Sequence, residues 1–176
     1  ISGELNRGRY RFPVKMLYSG NTSIEHAGLV APFGSSRTVS QDADNTFAFN
    51  EAGLGVHTFL VPEGTKVARF SLNESFIDAQ GADSDLYFYR CIKLSCATVE
   101  HQNSTDSNEE ILLINPLAAN DGAAGDFYLA FVHGKDLNGV AESNYTMLGW
   151  IAGQAESSTR VISSKRAIEG RFNYTT

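Results

Sequence analysis

Two stretches of this 176-residue chain carry oxygen atoms at spacings that suit a hard cation: Asp42-Ala43-Asp44-Asn45, and Asp78 followed by Asp83-Ser84-Asp85. Calcium takes about six to eight oxygens from carboxylates, amides and loop carbonyls. Asp78, Asp83 and Asp85 are therefore the first candidate ligands of a structural calcium ion, and Asp42 and Asp44 the next. Neither stretch follows the EF-hand spacing. Charge is concentrated in the same region: residues 71–126 hold two basic and ten acidic groups, while residues 1–40 hold five basic and two acidic, and residues 160–176 four basic and one acidic. Crowded carboxylates repel one another unless a cation offsets them or water screens them, so solvated loops are the competing reading.

Cys91 and Cys96 are the only cysteines. A structural zinc site wants four ligands, and no Cys-x-x-Cys or His-x-x-x-His spacing supplies the remainder. A disulfide closing a short hairpin is the better reading, and it points to an oxidising, extracellular setting. The low count of five lysines and the polar loops rich in Ser, Asn and Gly fit that setting, whereas the five Asn-x-Ser/Thr sequons, starting at Asn21, Asn73, Asn103, Asn144 and Asn173, would be glycosylated only in a eukaryotic secretory route and mean nothing in a bacterium.

Other chemistry is poorly supplied. His26, His57, His101 and His133 are scattered, with no Gly-x-Ser-x-Gly elbow beside any of them, so no Ser-His-Asp constellation is evident. His133 reads as the end of its strand. Gly122-Ala123-Ala124-Gly125 lacks the Gly-Lys-Ser/Thr of a phosphate loop. Glu109 and Glu110 are adjacent on a strand and point to opposite faces, so they cannot flank one bond. A net charge of −6 argues against a general nucleic-acid binder. No apolar run reaches the roughly 18 residues of a membrane span, and a start at Ile1 rather than Met, with no charged-then-apolar leader, reads as a mature or excised segment.

The elements that must position these residues are strands. Apolar runs are short and alternate, and no window sustains the helical period. The expected fold is all-β, a jelly-roll-like antiparallel β-sandwich preceded by a short N-terminal hairpin. The hairpin pairs a strand over 10–17 with one over 23–30 across the turn Ser19-Gly20-Asn21, within a segment at 1–40. Residues 31–46 read as a polar, turn-rich boundary. The sandwich covers 41–153, with strands expected over 56–61, 66–72, 85–92, 96–100, 109–115, 125–134 and 144–151. Within it, Ala68, Phe70 and Leu72 should point inward, Leu86 and Phe88 should face away from Tyr87 and Tyr89, and 109–115 is apolar enough to be a central strand. Residues 154–176 read as a linker and two weaker strands, which either pair with the N-terminal hairpin or begin a further domain.

The strings Phe59-Leu60-Val61-Pro62-Glu63-Gly64-Thr65 through Leu72, Asp83-Ser84-Asp85-Leu86-Tyr87-Phe88-Tyr89, Glu109-Glu110-Ile111 with Asn115-Pro116, Gly125 through Gly134, and Asn144-Tyr145-Thr146-Met147 with Trp150 resemble the C-terminal region of secreted subtilisin-like serine proteases. In particular they are similar to the bacterial pre-peptidase C-terminal module. Phe12-Pro13-Val14-Lys15, Tyr18-Ser19-Gly20 and Gly28-Leu29-Val30 are similar to the segment preceding it, so the resemblance covers roughly residues 9–152. It implies a jelly-roll-like sandwich, export, and a non-catalytic accessory role to a protease domain encoded upstream, with calcium bound in some members. The acidic run before the Asp83 strand is thinner here than in the family, and the Cys91 to Cys96 segment is not a general family feature. Two rivals stand beside this expectation. One is a module that binds insoluble protein or polysaccharide, and the other a stand-alone enzyme or a protease inhibitor presenting the Cys91–Cys96 loop.

Overall fold

The computed structural model describes residues 9–14, 20–26, 30–93, 95–153, 156–162 and 168–173. The chain divides into two units, residues 30–154 and residues 1–29 with 155–176. In the second of these, β1 (Arg9–Val14) pairs antiparallel with β12 (Ile168–Asn173), and β2 (Gly20–His26) pairs with β11 (Glu156–Ile162). The expected N-terminal hairpin is thus corrected. Each N-terminal strand takes a partner from the other end of the chain, one of the two arrangements open for residues 154–176. A turn signal marks where a chain reverses, but it does not decide which strand a neighbour pairs with.

The described residues of the larger unit form eight strands: β3 (Phe33–Ser40), β4 (Leu54–Phe59), β5 (Val67–Leu72), β6 (Asp83–Ile92), β7 (Ser95–Gln102), β8 (Glu109–Ile114), β9 (Phe127–Asp136) and β10 (Glu142–Ala152). They form two antiparallel four-stranded sheets, ordered β3-β10-β5-β8 and β4-β9-β6-β7. Every connection except the β6–β7 hairpin crosses from one sheet to the other, which is the jelly-roll order of two interleaved Greek keys. The sandwich begins at Val30 rather than residue 41. The stretch expected to be a boundary contains β3, whose hydroxyl-rich sequence hides its period because only Val39 is buried.

Alternation explains the core. Ala68, Phe70 and Leu72 of β5 and Leu86 and Phe88 of β6 face the opposite sheet and are buried. Phe70 packs at a tilt between Phe59 and Phe88, with ring centroids 4.9 and 4.5 Å away, and Ile111, Tyr128, Ala130, Val132 and Met147 fill the space around them. Tyr87 and Tyr89 face outward on the other side of β6. The expectation of a central strand over 109–115 is corrected: β8 is an edge strand whose outward Leu112 and Ile114 are 38% and 58% exposed. An apolar run fixes neither which face is covered nor where in the sheet the strand lies.

Cys91 and Cys96 are directly opposed in the β6–β7 hairpin and joined by a disulfide, with Cα atoms 4.0 Å apart. Such a small loop removes little chain entropy from the unfolded state, so the bond contributes about 2 kcal/mol. Replacing both cysteines by alanine should lower unfolding free energy by that amount in denaturant titrations, and the unfolded wild-type chain should show no free thiol before reduction.

Candidate functional site

The outer face of the β4-β9-β6-β7 sheet carries a buried charged network built from three separate parts of the chain. Asp85 on β6 is in register with His133 on β9, and the loop leaving β3 brings Asp42 against the same imidazole. His133 Nε2 lies 3.1 Å from Asp42 Oδ2, and Nδ1 lies 3.6 Å from Asp85 Oδ2. All three residues are buried, His133 completely. Asp42 also accepts backbone hydrogen bonds from Ala43 at 2.8 Å and Thr46 at 2.9 Å. Lys135, two residues along β9, pairs with Asp83 at 2.9 Å and approaches Asp85 Oδ1 at 3.7 Å.

The backbone must come unusually close for Asp42 to reach this position. A Cβ on Gly53 would lie 2.6 Å from Asp42 Cβ, and one on Gly134 would lie 2.5 Å from the Ser40 carbonyl oxygen. Glycine at both places lets the β3 exit run between them, where the Asp42 N–H donates to the Gly134 carbonyl. Gln41 fastens the same turn to the end of β9, donating to the Lys135 carbonyl and accepting from the Leu137 N–H. Farther along the loop, Phe47 stacks on Tyr87 at 3.9 Å and meets His133 edge-on at 6.0 Å, so an aromatic lid covers the ion pairs.

Burial alone would depress the His133 pKa, but Asp85 and Asp42, one facing each ring nitrogen, outweigh it and hold the pKa above the ordinary histidine value. Burial likewise pushes Asp42 upward, and its hydrogen bonds to His133, Ala43 and Thr46 reverse that and lower it. The Tyr87 hydroxyl is pushed up to about 12 by burial and then by the Asp85 charge. For Lys135, the hydrogen bond to Asp83 is the main cause of a raised pKa.

The structure therefore sorts the expected calcium ligands into different roles. Asp42 and Asp85 flank an imidazole, Asp83 holds an ammonium, exposed Asp78 accepts from Asn144 Nδ2 at 3.0 Å, and exposed Asp44 accepts from the Thr46 N–H. Asp78, Asp83 and Asp85 do not converge on one point, and Lys135 and His133 stand against two of them. Among the described residues, the group of three whose ligand atoms lie within 4.8 Å of one another is Asp42, Glu51 and His133. Sequence reasoning passed over Glu51 and His133. His133 lies within β9 rather than at its end, and no local pattern marks a loop acid that meets a strand histidine 82 positions away.

A second polar group joins the two sheets. His57 on β4 is buried, with Ser35 Oγ of β3 2.8 Å from Nδ1 and Tyr145 Oη of β10 2.6 Å from Nε2. Gly55 leaves the room that the tyrosine hydroxyl needs, since a Cβ there would lie 2.0 Å from it. Burial, assisted by the Arg37 charge, lowers the His57 pKa to about 4. The ring is therefore neutral at pH 7, with one nitrogen donating and the other accepting. A base with so low a pKa activates a serine poorly, since proton abstraction works best with a pKa near the operating pH. The Ser35–His57–Tyr145 chain serves as an inter-sheet tie.

Searches with this chain against protein-family models, curated proteins and solved structures gave no significant match.

Two predictions follow from this geometry. His57 must charge on unfolding in mild acid, so its contribution to stability is complete above pH 6.5 and is lost as pH falls toward 4. That loss amounts to about 3 kcal/mol at most, from 1.36 kcal/mol per pKa unit. Denaturant titrations at pH 7 and pH 4 should show a smaller acid loss for His57→Gln than for wild type. Gly134→Ala should cost about 1–3 kcal/mol by pushing a methyl group into the Ser40 carbonyl, and should loosen the 41–53 loop in hydrogen-exchange measurements.

Proposed function

We propose that this chain is a non-catalytic accessory sandwich of a secreted subtilisin-like serine endopeptidase, stabilising or targeting a catalytic domain encoded upstream. The observation that carries the reading is where the residues of the resemblance fall. Phe70, Leu72, Leu86, Phe88 and Tyr145 lie in the core between the sheets, while Asp85, His133 and Gly134 form the buried network beneath the 41–53 loop. The strings that resemble the protease-associated module thus coincide with the residues that hold this sandwich together. The Cys91–Cys96 disulfide supports export, because such bonds persist in oxidising compartments. In this reading peptide-bond hydrolysis belongs to the upstream domain, and the neutral His57 beside Ser35 does no acyl transfer.

The test has two arms. The coding sequence upstream of Ile1 should specify a Ser-His-Asp protease domain, and deleting the present chain from that precursor should speed thermal inactivation several-fold with kcat on a small peptide unchanged. The isolated chain should cleave no peptide, and Ser35→Ala should leave that result as it is. An upstream region with no protease triad, or a peptidase activity that Ser35→Ala abolishes, overturns the reading.

A second reading has one specific observation in its favour. Phe49 is 53% exposed and packs edge-on against Tyr89 at 5.1 Å, so one face of an aromatic pair is open to a sugar ring or an apolar side chain. Retention of the chain on insoluble casein or cellulose, lost in Phe49→Ala, would favour this binding role over the stabilising one.

A further inference from the structure

We propose that Asp42, Glu51 and His133 form a binding site for a divalent transition-metal ion of the zinc class, with Asp85 orienting the imidazole from its far side. One ligand atom from each of the three residues lies within 4.8 Å of the others. Movements of under about 1 Å bring all three to the roughly 2.0–2.2 Å that zinc forms with imidazole nitrogen and carboxylate oxygen. The three come from β9 and from the two ends of the 41–53 loop that crosses it, so the sheet holds one ligand and the loop closes the other two over it.

The side of the ring away from the three ligand atoms is also unsatisfied. His133 Nδ1 and Asp85 Oδ1 are buried without a hydrogen-bond partner, and the cation nearest Asp85 Oδ1, Lys135 Nζ, is 3.7 Å away. Nδ1 faces Asp85 Oδ2 at 3.6 Å while Nε2 faces Asp42. A metal-bound histidine commonly has this layout, with one ring nitrogen on the ion and the other presenting its N–H to a carboxylate. The contact shortens into a full hydrogen bond once the ring turns toward a metal on Nε2.

The donor set selects the metal. Calcium and magnesium prefer all-oxygen shells, whereas an imidazole with two carboxylates suits zinc and its neighbours. Three protein ligands leave a fourth position for water. When the ion enters, the Nε2 proton leaves to solvent, and the metal supplies the positive charge that the imidazolium offered to Asp42. Glu51 accepts a hydrogen bond from the Ala48 N–H through Oε1.

Cobalt is the probe, because tetrahedral cobalt absorbs in the visible where zinc is silent. Titrating the chelator-treated 176-residue chain with Co²⁺ should give one equivalent of a visible d–d band, removed by Zn²⁺ and untouched by millimolar Ca²⁺. Glu51→Gln keeps an acceptor for the Ala48 N–H and should leave the metal-free melting midpoint unchanged while weakening cobalt binding at least tenfold. The proposal is overturned if wild type shows no band at millimolar cobalt, if the band is equally strong in Glu51→Gln, or if calcium displaces the cobalt as readily as zinc does.

Discussion

A histidine enclosed by two buried carboxylates constrains the path of the chain between β3 and β4. Taking charged groups out of water costs several kcal/mol each, and the cost is offset only while the partners stay in place. Removing Asp42 would leave a ring nitrogen of His133 and the Ala43 and Thr46 N–H groups without their acceptor. The β3 exit must therefore pass close over β9, Gly53 and Gly134 must lack side chains, and Gln41 must hold the turn. Phe47 then closes the loop down on Tyr87 and excludes water from the ion pairs.

The same residue type serves two opposite purposes in one domain. His133 lies between carboxylates and its pKa is raised, whereas His57 lies between two hydroxyls beneath a sheet and its pKa falls to about 4. Hydroxyls satisfy the ring nitrogens without supplying charge, so desolvation decides the outcome for His57. Carboxylates supply charge, so attraction decides it for His133. One imidazole is a neutral tie across the sandwich. The other is the centre of an electrostatic cluster on its outer face, where Glu51 adds a third ligand atom.

Sheet edges and connections shape the rest of the surface. β7 is exposed along nearly its whole length, and the disulfide fixes its register against β6 at the hairpin end. β8 ends the other sheet with Leu112 and Ile114 outward. In the smaller unit the two ends of the chain pair with each other, so β1 and β2 depend on strands 130 or more residues away.

The sequence by itself determined the fold class, the inward faces of β5 and β6 and the cysteine pairing. Each follows from a local rule: side chains alternate with period two along a strand, and two cysteines near a tight turn can face one another. It also singled out Asp42 and Asp85, as candidate calcium ligands. Only the tertiary structure decided what stands against them, because His133, Lys135 and Glu51 reach those acids across strand pairings and a loop crossing that no local pattern encodes. The assignment of β8 to an edge, the inclusion of β3 in the sandwich and the pairing of β1 with β12 belong to the same category. Alternation specifies which side of a strand is apolar, while strand order depends on which of several similar strands packs best against all the others at once.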